Sequence, residues 1–492
     1  MKKHIYKGLT AIALFSLLTV SCSDEFVDRT PVYSIDSENY FNSKTDFDNA
    51  LVAAYDLLQS TYVNVMLGEI ASDNTLCGGE SQTDVIGFQQ IDDMIHTPTN
   101  SNLRDIWNWM FAGISRANYI LEFQNKIDFD GKTQIIAEAR FLRAYYQFEL
   151  VKWFGGIPIK GDARFTIGDE KIIARSTAAE VCATVEKDLI FAAANLSVSP
   201  AQQGRATKGA AYALLGKVYL YQNKFKEAAD AFDSCIGLQT YSLVTDYNTL
   251  FEEAGENGKE SIFEVQYTDV EGAGFTCLQC SEGNVAVGFN GPRSYVGSVF
   301  TSGFSFNIPT AKVVNAFEVG DNRKSVAILD MPAWSLATGA TYGKGYEDTG
   351  YFNRKYIPRK RSTTAAGDLN LTNPANYRAI RYADVLLMAA EAYNRGSISD
   401  ATARGYLNQV RRRAFGDNNH DITASGAALT DFIYAERRVE LVGEGHRFFD
   451  LVRTGNAAKE ITGFTTGKNE LFPIPIEEIQ FAAGNWAQNP GY

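Results

Sequence analysis

Histidine and cysteine are scarce in this chain, whose 492 residues include four His and six Cys. A metal centre needs three or four converging ligands, and few combinations of these side chains could supply them. The sequence also lacks a two-His metal motif, a phosphate-binding loop and a nucleophile elbow. We therefore expect no metal, no cofactor and no catalytic residue.

Positive charge and long apolar runs are also in short supply. Lys and Arg number 46 against 58 Asp and Glu, a net charge of −12 that repels phosphate backbones, so nucleic acid is not an expected partner. Beyond the apolar segment at the N-terminus, no run of apolar residues approaches the length of roughly 18 that a membrane-spanning helix needs. Aromatic residues, in contrast, are abundant, with 25 Tyr, 31 Phe and 5 Trp.

The N-terminus has the pattern of a secretory signal. Three lysines precede a short apolar segment, residues 9–20, and the small residue Ser21 is followed by Cys22. This arrangement resembles a bacterial lipoprotein signal over residues 1–21, with Cys22 as the lipidated first residue of the mature chain. The acidic residues that follow Cys22 resemble a surface-export signal. Ordinary signal cleavage that leaves Cys22 as a plain thiol is the alternative.

Apolar residues recur at helical spacing at about 40–240 and again at about 377–455. Residues 206–240 have the spacing of a tetratricopeptide repeat, which predicts two antiparallel helices that turn near Asn223. One such pair cannot bury its own apolar face, so further pairs must stack on it. A helix predicted at 103–123 carries Trp107 and Trp109. The two rings could be ligand platforms, but on a helix this regular we expect at least one of them in the core.

The helical period fades between residues 241 and 376. Residues 261–267 alternate as a strand does, and Gly-rich segments with scattered aromatic residues follow them. Within these segments Cys277 and Cys280 could form a small disulfide or have no role, and zinc is not expected because no second such pair exists. Residues 66–100 are polar and turn-rich, so we expect a surface loop there.

The segment 435–456, AERRVELVGEGHRFFDLVRTGN, combines apolar residues at helical spacing with dense charge. The pattern predicts an amphipathic helix with ion pairs at the edge of a packed seam. This segment also closely resembles a signature of the SusD family, the glycan-binding lipoproteins of the Bacteroidetes surface. Three further parts of the chain resemble family signatures in the same order, namely 137–159, 377–414 and the closing strings at 471–477 and 488–492.

The resemblance extends over most of residues 22–492 and implies one SusD-like domain. It implies a mainly α fold, in which a helical body of tetratricopeptide-like pairs carries an irregular ligand-binding part with a few short strands at about 241–376. It also implies an outward-facing, lipid-anchored protein of the outer membrane that binds oligosaccharide or polysaccharide. The expected partner is a SusC-like TonB-dependent transporter. Two alternatives are capture of peptides by the same scaffold and a glycoside hydrolase, which would need two carboxylates flanking one bond.

Aromatic and polar residues of the variable loops are the expected ligand contacts, because flat rings cover the apolar face of a sugar and polar side chains bind its hydroxyl rim. Trp334 is the first choice, since it lies between Pro332 and a small-residue loop where no helical stripe needs it. The alternative is that Phe289 and Tyr295 pack inward and only Trp334 is exposed. The full predicted set is Trp334, Tyr295, Tyr342, Phe289, Asp73, Asn74 and Arg293.

Overall fold

The computed structural model describes residues 39–271, 274–359, 363–364 and 367–492. The predicted signal segment and Cys22 lie outside these residues. About half of the described chain is helical and few residues are in strands, in line with the mainly α fold that the sequence predicts. The α-helices are α1 (Lys44–Asp56), α2 (Tyr62–Ile70), α3 (Ile86–Asp92), α4 (Ser101–Glu122), α5 (Lys132–Phe154), α6 (Ala178–Asn195), α7 (Lys208–Tyr221), α8 (Phe225–Gly237), α9 (Val285–Asn290), α10 (Ala311–Val314), α11 (Lys324–Ala327), α12 (Met331–Thr338), α13 (Tyr382–Arg395), α14 (Asp400–Phe415), α15 (Gly426–Glu440), α16 (Arg447–Arg453), α17 (Ala457–Glu460) and α18 (Ile476–Phe481).

The long helices pack side by side as a stack of antiparallel neighbours. In this stack α5 lies between α4 and α6, α7 lies between α6 and α8, and α13 contacts α8, α14 and α15. Most of α5 is buried because it has neighbours on both sides, and it ends where Gly155 adopts a positive φ of 71°. None of the helices in the described ranges is long and apolar enough to cross a membrane.

The predicted tetratricopeptide-like pair is confirmed as α7 and α8. The two helices turn back at Asn223, which has a φ of 57°. Their contact requires a very small side chain, since a Cβ atom at Gly216 would lie 2.4 Å from the ring of Phe232. Ala228 and Phe232 are both fully buried in this contact.

Six short strands form three two-stranded antiparallel sheets in the described residues. The strands are β1 (Thr75–Cys77), β2 (Ser261–Val265), β3 (Asn307–Pro309), β4 (Ile328–Asp330), β5 (Tyr351–Asn353) and β6 (Tyr377–Arg381). β1 pairs with β3, β2 with β6 and β4 with β5. The predicted strand at 261–267 is therefore confirmed. It pairs with β6, which occupies the start of the second helical region, where the sequence pattern predicts a helix from residue 377.

Residues 66–100 differ from the predicted surface loop. They contain the end of α2, strand β1 and helix α3, and Met66, Leu67, Ile70, Cys77 and Ile91 are buried. The apolar residues are too widely spaced for a clear period in the sequence. They are buried because α2 packs on α9 and α16 and because β1 pairs with β3, all more than two hundred residues further along the chain.

The segment 435–456 begins as a helix, as predicted, and contains the end of α15 and the whole of α16. Gly443 and Gly445 adopt positive φ values of 82° and 83° in the turn between them. Its charged residues also lie deeper than predicted, since Glu440 and Glu444 are fully buried. They belong to a buried charge cluster formed by Glu260, Arg323, Lys355, Arg381, Arg413, Glu436, Glu440 and Glu444.

Glu440 is at the centre of this cluster. Its carboxylate accepts hydrogen bonds from Arg381 Nη1 at 2.5 Å, Arg413 Nη2 at 2.5 Å and Arg323 Nη1 at 2.8 Å. Burial alone would raise the pKa of Glu440, but the three guanidinium groups outweigh it and hold the pKa well below its ordinary value. The cluster thereby links α14 and α15 to β6 and α11 through charge-assisted hydrogen bonds.

Candidate functional site

Three of the predicted ligand residues lie together in a small satellite core. Trp334, on α12, packs its ring against Phe300 at a centroid distance of 5.3 Å, and its indole N–H donates to the Tyr295 hydroxyl at 3.0 Å. Tyr295 is buried, whereas Trp334 and Tyr342 are partly buried. The Tyr342 hydroxyl donates to Asp348 at 3.1 Å. These rings support one another, so the Trp334 side chain has a packing role that the sequence did not suggest.

Phe289 lies in the main core, which revises its predicted role. It belongs to α9, is 4% exposed, and is surrounded by the rings of Tyr62, Phe88, Phe304 and Phe306. No face of this ring is open to a sugar. We therefore leave Phe289 and the buried Tyr295 out of the proposed site, in line with the alternative that both pack inward.

Asn74 is buried and Asp73 has a buried side chain, because both residues partner α15 and α16. The Asp73 carboxylate accepts from Arg447 Nε at 2.8 Å and from Arg438 Nη2 at 2.9 Å, and Asn74 accepts from Arg438 Nε at 2.8 Å. Burial raises the pKa of Asp73, but Arg447, Arg438 and Lys312 outweigh that effect and keep the pKa below its ordinary value. These two residues connect distant parts of the fold and are not free to bind a ligand.

Arg293 lies beside the satellite core but is engaged by acidic side chains. Its backbone carbonyl accepts from the N–H of Gly343, next to Tyr342. Its guanidinium donates to the carbonyl of Phe304 at 3.1 Å and to Glu80 at 3.3 Å, and it lies 3.8 Å from Asp84. Arg293, Tyr342 and Trp334 are each partly exposed.

A different surface combines exposed rings with polar groups around a hollow of about 590 Å³. We call it the aromatic hollow. It is formed by the outer face of α4, by the loop around the Cys277–Cys280 disulfide and by α18 near the C-terminus. Its lining residues are Arg104, Asp105, Asn108, Trp109, Phe275, Thr276, Leu278, Gln279, Glu477, Glu478 and Phe481.

Helix α4 begins at a well-made N-cap, where the Asn100 side chain accepts from the N–H groups of Asn102 and Leu103. This cap fixes where the helix begins, and its apolar stripe decides which residues face outward. Leu103, Ile106, Trp107 and Met110 are buried, whereas Arg104, Asp105, Asn108 and Trp109 repeat at helical spacing on the other side. The expectation that one of the two tryptophans is in the core is confirmed for Trp107.

Three aromatic rings of the hollow are accessible. Phe275 is 59% exposed and Phe481 is 61% exposed. Phe275 makes an edge-to-face contact with Phe304 at a centroid distance of 5.6 Å. Trp109 is partly buried and its ring lies 6.1 Å from that of Tyr62. Exposed rings on three separate elements around one depression are unusual for a surface that remains in water.

Polar groups of the hollow lie between these rings. Arg104 Nη1 donates to Glu477 at 2.8 Å, an exposed pair that contributes little to stability. Burial raises the pKa of Asp105 to about 6, and the charge of Arg104 opposes this shift. Burial likewise raises the pKa of Glu478 above its ordinary value. Together with Asn108 and Gln279, these groups offer both donors and acceptors to a hydroxylated ligand.

The same surface continues into an apolar groove that shares Asn108, Glu478 and Phe481 with the hollow. Phe111, Phe165, Ile167 and Trp486 are among its other lining residues, and Ile167 is fully exposed. In the ranges that the structure describes, no group of three or more His, Cys, Asp or Glu side chains is arranged to hold a metal ion.

Two family models match the chain. One, described as the SusD family, matches residues 332–471, and another, described as starch-binding and associating with the outer membrane, matches residues 25–220. A solved laminarin-binding SusD-like protein is 36% identical, with a TM-score of 0.84 over 92% of this chain and all of its own. The chain belongs to the SusD family.

Further SusD-family proteins agree over nearly their full lengths. Surface glycan-binding protein A from Bacteroides thetaiotaomicron, solved in complex with laminarihexaose, is 25% identical with a TM-score of 0.80, over 91% of this chain and 99% of its own. SusD-like protein P38 of Formosa agariphila is 29% identical over 512 residues, 95% of each chain. The predicted SusD-like fold is thus confirmed, and the two solved members are described as a laminarin-binding protein and a surface glycan-binding protein.

Proposed function

We propose that this protein binds glycans at the aromatic hollow. The observation that carries the proposal is the convergence of three accessible rings, Trp109, Phe275 and Phe481, on one depression that also holds Arg104 and Asp105. Hydroxylated sugars need both parts of this arrangement. The rings cover the C–H face of a pyranose, and the polar side chains replace the water bound to its hydroxyl groups.

A β-glucan of the laminarin type is the first ligand to test, since relatives with full coverage are described as binding laminarin or laminarihexaose. The hollow suits a carbohydrate better than a peptide strand. An added strand would need an open sheet edge, and the residues that line the hollow belong to helices and to a turn. The geometry therefore favours glycan over peptide capture.

The proposal includes attachment to the outer face of the outer membrane through a lipid on Cys22. Three observations support it: the signal pattern of residues 1–21, the family description that includes outer-membrane association, and the Cys277–Cys280 disulfide, which is typical of an oxidising compartment. Delivery of the bound glycan to a SusC-like TonB-dependent transporter completes the proposed role. The resemblance of the whole chain to SusD-family proteins supports this last step.

The test is calorimetric titration of the soluble chain that follows Cys22 against a panel of glycans, with peptides as a second panel. We expect binding to at least one glycan class and no release of shorter products during the titration. Binding of peptides alone, or turnover of the glycan, would contradict the proposal.

The anchor is tested separately in cells with Cys22→Ala. We expect this variant to lose its association with the outer membrane, because the acyl chains provide the attachment. A variant that still fractionates with the outer membrane and is labelled at the cell surface would contradict the anchor without affecting the binding result.

A further inference from the structure

A disulfide closes the loop that supplies one wall of the aromatic hollow. Cys277 and Cys280 are bonded, and only two residues lie between them. Phe275 and Thr276, just before this small ring, and Leu278 and Gln279, within it, all line the hollow. The bond thus lies within the proposed binding surface rather than at a distance from it.

Besides this bond, the described residues make several other contacts that hold parts of the loop in place. Leu278 packs against the main core, and Cys277 N–H donates to the carbonyl of Gly274. Phe275 touches the ring of Phe304 edge-on and is otherwise largely exposed. The direction of the Phe275 ring therefore depends on the backbone of residues 274–277. The disulfide joins this backbone to the turn that contains Leu278, and Leu278 packs on the main core.

A disulfide this short is poorly suited to stabilising the whole fold. The stabilisation that a disulfide gives through the unfolded chain increases with the number of residues it encloses. A four-residue ring restricts very little of a chain of 492 residues. Its main effect is local, because it limits the conformations open to the loop while the rest of the protein is unchanged.

We infer that the Cys277–Cys280 disulfide is a positioning element of the glycan site, which holds Phe275 in the orientation that stacks on the sugar. This inference rests on the proposed function. A ring that is already oriented loses less conformational freedom when the ligand binds, and preorganisation of this kind increases affinity without adding a contact. Cys277 and Cys280 need not touch the sugar themselves.

A double-mutant cycle tests the inference. Calorimetry with laminarihexaose would compare the wild-type chain with the double variant Cys277→Ser/Cys280→Ser, the variant Phe275→Ala, and the triple combination. We expect the loss of the disulfide to weaken binding by about two- to tenfold, the range for freeing one or two side chains. In the Phe275→Ala background we expect loss of the disulfide to change affinity by less than about twofold, since the ring it positions is gone.

Two controls separate positioning from folding and from the proposed function. The melting temperature of the double-serine variant should stay close to that of the wild type, and a reducing agent should weaken binding by the wild type but not by that variant. Unchanged affinity in the double-serine variant, or an equal loss in the Phe275→Ala background, would overturn the inference while the wild type still binds. If the wild type binds no glycan, the proposed function fails, and the inference fails with it.

Discussion

Replacement of Glu440 with Gln should destabilise the protein strongly, because it removes the central anion of the buried charge cluster. Glu440 is fully buried, and its carboxylate accepts hydrogen bonds from Arg323, Arg381 and Arg413. An amide of the same size keeps the volume but removes the negative charge and offers one acceptor oxygen instead of two. Three guanidinium groups are then left in the core with one fewer anion.

The expected cost is about 3–5 kcal/mol, the range measured when one partner of a buried ion pair is removed. The entropy of unfolding is about 2.1 cal/mol/K per residue, which gives roughly 1 kcal/mol/K for a chain of this length. The melting temperature should therefore fall by about 3–5 °C. Urea unfolding should show the same loss in the free energy of unfolding, with an unchanged slope against denaturant.

The matched control is Asp230→Asn on α8. It removes the charge of an ion pair with Lys226 in which both side chains are more than 60% exposed, so we expect a change of at most about 0.5 kcal/mol. A Glu440→Gln variant within about 1 kcal/mol of the wild type would refute the reasoning. It would mean that water or a rearranged arginine satisfies the cluster without this carboxylate.

Three further predictions follow from contacts, burial and charge. Gly216→Ala should lower the free energy of unfolding by about 1–3 kcal/mol in urea titrations, because the new Cβ would meet the Phe232 ring. The control is Gly405→Ala, on a helix with open space around that position, which should be neutral or stabilising by up to about 1 kcal/mol. Equal effects of the two substitutions would contradict this explanation of the α7–α8 contact. Burial lowers the pKa of His446 to about 3, with Lys217 adding to the shift, so the folded state keeps this ring neutral while the unfolded chain takes up a proton below about pH 6.5. The free energy of unfolding should therefore decline as the pH falls through 6.5, and His446 alone should account for a loss of about 2 kcal/mol at pH 5. In His446→Gln the free energy of unfolding should depend less steeply on pH. An unchanged slope would contradict the burial argument. Since burial raises the pKa of Asp105 to about 6, this carboxylate gains a proton as the pH falls through 6. Glycan affinity measured by calorimetry should then decrease with falling pH in the wild type but not in Asp105→Asn. The same pH dependence of affinity in both proteins would exclude Asp105 as a ligand acceptor.

Local patterns predicted the helices because the physics behind those helices is local. The apolar period and the turn at Asn223 were sufficient to predict α7 and α8, since both helices and the turn between them lie within one short stretch of chain. The same reasoning holds for Trp107 and Trp109. A difference of two residues places the two rings on different sides of α4, so one is buried and the other lines the hollow.

Positions that depend on distant partners could not be predicted in this way. Asp73 was expected in a polar surface loop, but its side chain is buried because Arg438 and Arg447 reach it from a region more than 360 residues further along the chain. Phe289 was expected at a ligand surface because its loop lacks a helical period, but a six-residue helix turns it into the main core. The charge of Asp73 and the aromatic ring of Phe289 indicated that these side chains make important contacts, but the sequence did not indicate which residues they contact.

In the candidate site, too, local features could be predicted from the sequence, whereas contacts between distant parts of the chain could not. One signal for the aromatic hollow was available in the sequence, namely the outward stripe of Arg104, Asp105, Asn108 and Trp109 on α4. Its other walls come from the disulfide loop near residue 275 and from α18 near residue 480, which only the folded chain brings to α4. Sequence reasoning therefore favoured the loop aromatics around Trp334, whose mutual packing is not visible in one dimension.

The most direct test of the proposed site compares two tryptophans by calorimetry with laminarihexaose. Trp109 and Trp334 are both partly buried, but Trp109 lines the hollow, whereas Trp334 packs on Phe300 and donates to Tyr295. We predict that Trp109→Ala weakens binding by about five- to thirtyfold, a loss of roughly 1–2 kcal/mol for one central ring. Trp334→Ala should lower the melting temperature and change affinity by less than about twofold. Unchanged affinity in Trp109→Ala together with a loss in Trp334→Ala would contradict the account and place the ligand at the satellite core.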